Sequence, residues 1–189
     1  MDNQRLARLN SNGDIQMKWT KNYIVPFWDD QYKTINYFKR PFNGVDELKL
    51  WREDGYQHAE EYFTGYMCPH GETHPDWTDD IVDSITQKYD LNDVGVCYYR
   101  METGVILPIH SDHYKIYRDR FNCSLSQVKR VLVFLEDWKS GHYFELDGIP
   151  IVNWKAGDYY QWTGATKHMA SNIGVDDRYT LQLTGWCKK

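Results

Sequence analysis

From residue 94 onward the chain breaks into short runs rich in Val, Ile, Tyr, Trp and Thr, separated by Gly, Asp, Asn and Pro, and few folds accept that texture. The runs span 94–101, 105–111, 128–136, 142–146, 149–154, 159–163, 168–172 and 178–186. Asp147-Gly148, Gly157-Asp158, Gly164-Ala165 and Gly174 with Asp176-Asp177 supply the turns between them. Eight short strands with mostly short connections predict a mainly β protein, a double-sheet jelly roll or cupin-like barrel. Too few helices intervene for a parallel α/β sheet. Aromatic residues at 16%, with 15 Tyr and 8 Trp, suit half-buried strand surfaces and pocket walls.

The first half reads differently. Residues 1–44 lack sustained periodicity, and the apolar group from Tyr23 to Trp28 predicts an N-terminal strand or arm laid on the body. Val45, Leu48, Trp51, Tyr56, Ala59, Tyr62 and Phe63 fit a helix over 45–63, weakened by Gly55. A clearer helix follows, capped by Asp76 or Thr78, with Trp77, Ile81, Val82, Ile85 and Tyr89 forming one apolar stripe. It should pack on the outer face of a sheet. We therefore expect a single domain over 1–189, with an arm and supporting helices in 1–90 and the barrel in 91–189; 189 residues fit one core better than two.

Composition narrows the function. A net charge of −5 disfavours nucleic acid as a partner, since proteins that neutralise phosphates are usually basic. Cys68, Cys97, Cys123 and Cys187 form no C-x-x-C pair, and MDNQRLARLN lacks a signal peptide's apolar core. A reduced, cytoplasmic setting is the expectation, and no apolar run reaches the ~20 residues that span a bilayer. Oligomeric state is not written in the sequence.

Dioxygen chemistry at iron needs few protein ligands and open coordination positions, which two His and one carboxylate on one face provide. Four of the seven His satisfy H-x-[D/E]: His58 with Glu60, His70 with Glu72, His74 with Asp76, and His110 with Asp112. The first pair sits in a probable helix, where residues two apart diverge. The next two lie in the loop CPHGETHPD, without a strand before it. His110 and Asp112 follow the strand-like GVILPI, and strand side chains two apart share a face. The third ligand should come from a later strand, and His168 opens one; His142, beside Tyr143 and Phe144, reads better as a packing histidine.

Arg178 stands ten residues after His168, at the start of RYTLQLTGW. Its guanidinium can grip a carboxylate through two parallel hydrogen bonds, as a dicarboxylate co-substrate requires. Alternation puts Arg178, Thr180 and Gln182 on one face and Tyr179, Leu181 and Leu183 on the other. The long connection 113–127 reads equally as a lid or as a solvated insertion. A structural zinc site from Cys68, His70 and His74 lacks a fourth ligand and a standard spacing.

The ordered set IHSD, RVLVFLEDWKSGHYFELDG, NWKAGDYYQW, KHMASN and DRYTLQLTG resembles the Fe(II)/2-oxoglutarate-dependent oxygenases over roughly residues 94–186. It is similar to their compact prolyl-hydroxylase-like and aspartyl/asparaginyl-hydroxylase-like members, though the aspartyl group tends to lack the carboxylate that Asp112 keeps. The resemblance implies a double-stranded β-helix, with iron held by His110, Asp112 and His168 as the catalytic centre. It implies 2-oxoglutarate and dioxygen as co-substrates, and a small-molecule or peptide substrate hydroxylated with release of succinate and carbon dioxide. The distal carboxylate would meet Arg178, helped by Thr180 or Tyr99, with Arg130 a second carboxylate partner or a surface residue at a strand end. Tyr114, Lys115, Arg118 and Arg120 are candidate substrate contacts because they follow the metal motif, and Trp154, Tyr160 and Trp162 are candidate pocket walls or core. A non-redox cupin-like binding module is the rival, and it gives Arg178 no task.

Overall fold

The computed structural model describes residues 19–40, 42, 44–58, 60 and 65–188. The strands are β1 (Trp19–Tyr23), β2 (Phe38–Arg40), β3 (Gly65–Pro69), β4 (Asn92–Met101), β5 (Ile106–His110), β6 (Val128–Phe134), β7 (His142–Leu146), β8 (Ile149–Ile151), β9 (Asp158–Thr163), β10 (His168–Asn172) and β11 (Arg178–Trp186). The helices are α1 (Val45–Glu53), α2 (Thr78–Tyr89) and α3 (Lys115–Phe121). Seven strands form one antiparallel sheet in the order β1-β9-β6-β11-β4-β3-β2, and four form the other in the order β5-β10-β7-β8.

Period-two alternation divides the large sheet's two faces. Val96 and Tyr98 of β4, Val131 and Val133 of β6, and Leu181 and Leu183 of β11 pack under Ile81 and Ile85 of α2. Each isoleucine is fully buried there, worth ~1.5–3 kcal/mol of apolar transfer. The opposite face gives Tyr99, Met101, Leu132, Phe134, Tyr160 and Trp162 to a second core, which Phe144, Leu146 and Ala170 of the small sheet complete. The sheets thus close on each other, with α2 on the outside as its stripe predicts.

The eight expected strands are all present. Asp147 and Gly148 take φ values of 50° and 79° in a two-residue hairpin that pairs Leu146 with Ile149. β1 adds to the edge of the large sheet beside β9 but lies before the expected apolar group, which it meets at Tyr23; Ile24 and Trp28 pack on the body outside any strand, and residues 1–18 lie outside the described residues.

Three expectations need correction. The helix begun at Val45 ends at Glu53, with Gly55 at φ 99°, while residues 59 and 61–64 lie outside the described residues. A strand, β3, does precede the CPHGETHPD loop, and β2 pairs with it. Neither Asp76 nor Thr78 caps α2: Trp77 holds the cap position, and the Thr78 hydroxyl donates to the Pro75 carbonyl at 2.6 Å and meets the Tyr98 hydroxyl at 2.7 Å. The connection 113–127, read as a lid or a solvated insertion, contains α3 and a short 3-10 turn at Leu125–Gln127.

Candidate metal centre and cavity

The two histidines meet because of strand register. His168 opens β10 and is the direct cross-strand partner of His110, which closes β5. Paired side chains in an antiparallel ladder stand on one face, and the two imidazole centroids are 4.2 Å apart. The pairing is irregular between His168 and Ala170, a local break of the kind common beside functional sites. Asp112 lies two residues beyond His110, just past the strand end. Ligand atoms of His110, Asp112 and His168 all fall within 4.8 Å of one another, and no other such group occurs among the described residues. Cys68, His70 and His74 form none: His74 Nε2 lies 3.2 Å from the Pro69 carbonyl, and Cys68 is buried in the α2 core.

Backbone carbonyls fix the tautomers. His110 Nδ1 lies 2.8 Å from the Pro108 carbonyl and His168 Nδ1 lies 3.1 Å from the Thr166 carbonyl. A carbonyl only accepts, so each Nδ1 carries a proton and each Nε2 is the nitrogen turned toward a metal. Burial pushes His168 down to about 4, so the ring is neutral at pH 7, the form that ligates. Burial opposes ionisation of Asp112, yet Arg130, His168 and His110 outweigh it and hold the carboxyl well below the usual carboxylate range. Asp112 Oδ2 accepts from the Tyr114 hydroxyl at 2.7 Å and from Arg130 Nη2 at 3.3 Å. Arg130 also donates to the Tyr114 hydroxyl at 3.0 Å and to Gln182 Oε1 at 3.1 Å. The carboxylate is therefore ionised and clamped through one oxygen.

The triad opens into a cavity of about 600 Å³ whose lining includes Tyr99, Arg130, Trp162, Arg178 and Gln182. Arg178 is 3% exposed. Its Nη1 donates to the Tyr143 carbonyl at 2.7 Å, its Nε has no partner, and no carboxylate among the described residues pairs with it. Burial pushes this guanidinium down to about 10, the signature of a cation without a counter-charge. Tyr99 is 4% exposed, and burial raises its phenol to about 12, keeping it a protonated donor.

No family model and no curated protein matches this chain. Solved structures do. A prolyl-4-hydroxylase of Pseudomonas putida superposes with a TM-score of 0.53 at 15% identity, covering 85% of this chain and 97% of its own. A non-heme alpha-ketoglutarate-dependent carbocyclase from nogalamycin biosynthesis gives a TM-score of 0.52 at 12% identity, covering 85% of each chain. The chain has the double-stranded β-helix fold that these two solved structures share.

Within that fold the expected residues separate. Tyr99, Arg130, Trp162 and Arg178 line the cavity with the triad. Thr180 is fully buried on the Arg178 face of β11 but is not part of the lining, and its hydroxyl has no partner among the described residues. Tyr114 is drawn into the Asp112 clamp. Lys115 pairs with Asp119 at 2.9 Å on the outer side of α3, and Arg118 lies 3.5 Å from the His113 carbonyl; neither lines the cavity, nor does Arg120. Trp154 and Tyr160 belong to the inter-sheet core, with Trp154 stacked on Phe134 at 3.9 Å. His142 is a packing histidine, stacked on Trp154, with Nε2 2.9 Å from the Asp176 carbonyl. The sequence reading missed Arg40, Phe42, Gly65 and Met67, which wall the cavity from β2, β3 and the chain between them.

Proposed function

We propose that this chain is an Fe(II)- and 2-oxoglutarate-dependent oxygenase that hydroxylates a C–H bond of a small-molecule or peptide substrate. One observation carries the reading: the triad and a buried arginine with no carboxylate partner among the described residues share one cavity. The donor set fits Fe(II), since two imidazole Nε2 atoms and one ionised carboxylate leave coordination positions for other groups. Iron bound by His110, Asp112 and His168 would supply the oxidation: 2-oxoglutarate loses carbon dioxide and takes one atom of dioxygen to become succinate, while the other atom enters the substrate C–H bond as a hydroxyl.

The protein's own groups do the rest. Arg178 binds the distal carboxylate of 2-oxoglutarate by charge-assisted hydrogen bonds, and the protonated Tyr99 phenol donates beside it. Arg130 and Tyr114 hold Asp112 in one orientation, so the ligand set does not rearrange as molecules enter. Trp162, 5.3 Å from the His168 ring between centroids, shields the metal side from water and bounds the substrate space. The free thiols of Cys68, Cys97, Cys123 and Cys187 accord with a reducing, cytoplasmic setting. Among the described residues no helix is long and apolar enough to cross a membrane.

The test is turnover of the co-substrate. Fe(II)-loaded protein given 2-oxoglutarate and oxygen should form succinate, and His168→Ala should abolish it. No succinate from the metal-loaded wild type, across a panel of candidate substrates, refutes the reading.

A further inference from the structure

Charge is unevenly placed in this molecule. The chain carries −5 overall, yet the acidic and basic side chains lining the cavity, histidines aside, are Arg40, Arg130, Arg178 and a single carboxylate, Asp112. Under the oxygenase reading, on which this inference rests, a divalent metal and the doubly charged co-substrate cancel. Asp112 offsets Arg130, and two positive charges remain on the walls. Arg178 lies beside the co-substrate's distal end, which leaves Arg40 with no assigned anion.

Arg40 closes β2 opposite Gly65 of β3, and both residues line the cavity. It is exposed at the mouth and makes no hydrogen bond or ion pair among the described residues; its guanidinium lies 6.0 Å from the ring centroid of its neighbour Phe38. Arg52 pairs with Glu60 and Arg100 with Glu102, each at 2.9 Å; of the arginines with no carboxylate partner among the described residues, Arg40 and Arg178 line the cavity, and Arg118 and Arg120 do not. Low-dielectric walls focus the field of an unmatched cation into the cavity, drawing anions against the chain's overall charge. A space of about 600 Å³ lies within the ~300–1,000 Å³ of small-molecule sites. It accommodates the co-substrate and one further small molecule, whose apolar part would rest on Phe42, Met67 and Leu107.

We propose that the molecule oxidised here is a small anion, carrying a carboxylate or a phosphate that Arg40 grips at the cavity mouth while its carbon skeleton points toward the triad. Acid and phosphate share the chemistry Arg40 reads, a bidentate acceptor of two N–H donors.

The test is equilibrium binding by calorimetry, without oxygen, on protein holding redox-silent Mn(II) and saturating 2-oxoglutarate. The probes are N-acetylglycine, inorganic phosphate and the neutral N-acetylglycinamide. At least one anion should bind about tenfold or more tightly than the amide, and the preferred anion tells carboxylate from phosphate. Arg40→Gln should erase that preference, Arg40→Lys should restore part of it, and neither should change 2-oxoglutarate affinity. The proposal falls if the amide binds as well as both anions, if neither anion binds, or if Arg40→Gln leaves anion affinity unchanged. Absence of 2-oxoglutarate binding to the wild type would instead strike the oxygenase reading. The same probes are then titrated into the Mn(II) protein alone, where dependence on Arg40 still decides.

Discussion

Replacing Arg178 with Met separates what a buried charge costs the fold from what it gives to binding. A guanidinium pushed from 12.5 to about 10 is disfavoured in its charged form by about 3 kcal/mol. Met keeps an unbranched, adaptable stem in the same space and removes that cost. Against this, the 2.7 Å bond to the Tyr143 carbonyl is lost, and an unsatisfied buried acceptor costs ~1–3 kcal/mol. Arg178→Met should therefore leave the metal-free protein as stable as the wild type or up to ~2 kcal/mol more stable, by urea denaturation. Binding moves the other way: hydrogen bonds to a charged group are worth ~1.5–3 kcal/mol each, so losing two should weaken 2-oxoglutarate at least ~100-fold in a calorimetric titration with Mn(II) present. Metal affinity should stay within about twofold. A variant that loses more than ~2 kcal/mol of stability and still binds 2-oxoglutarate normally would make Arg178 a structural residue and refute the reasoning.

Gly65→Ala would place a Cβ in the Tyr99 ring and force the phenol into the cavity; it should cost ~1–3 kcal/mol of stability and lower 2-oxoglutarate affinity in the same titration. Tyr114→Phe deletes the 2.7 Å bond to Asp112 and should weaken Mn(II) binding ~10-fold or more, followed by the free-ion signal in electron paramagnetic resonance. Burial lowers His142 from 6.5, so its neutral form is favoured in the fold: its contribution is complete above pH 6.5 and is lost as pH falls through the lowered value. His142→Gln should accordingly flatten the stability profile below pH 6.5, measured by denaturation at a series of pH values.

The barrel was legible because its strands are short runs rich in β-branched and aromatic residues cut by turn residues, and β11 adds a two-residue alternation. β7, β10 and β11 begin and end where the sequence places them, and β11 turns Arg178 and Gln182 to the cavity and Leu181 and Leu183 to α2 as its parity requires. The His110, Asp112 and His168 cluster was legible because His110 and Asp112 need only a strand before them and His168 only a strand after it. What escaped lacked a period. β2 has three residues, too few to show alternation, and GYMCP in β3 mixes faces. α3 buries no residue, so KIYRDRF carries no stripe to mark it as a helix. The pairing of Arg130 with Asp112 joins residues 18 apart through tertiary packing alone, and no local signal announces it.

The most direct measurement is the visible absorption spectrum of the protein under nitrogen, first with Fe(II) and then with 2-oxoglutarate. Chelation of the 2-oxo acid at iron should give a weak charge-transfer band in the wild type that is absent in His110→Ala and Asp112→Ala. No band in the wild type, or an equal band in those variants, would contradict the assignment of iron and 2-oxoglutarate to this triad.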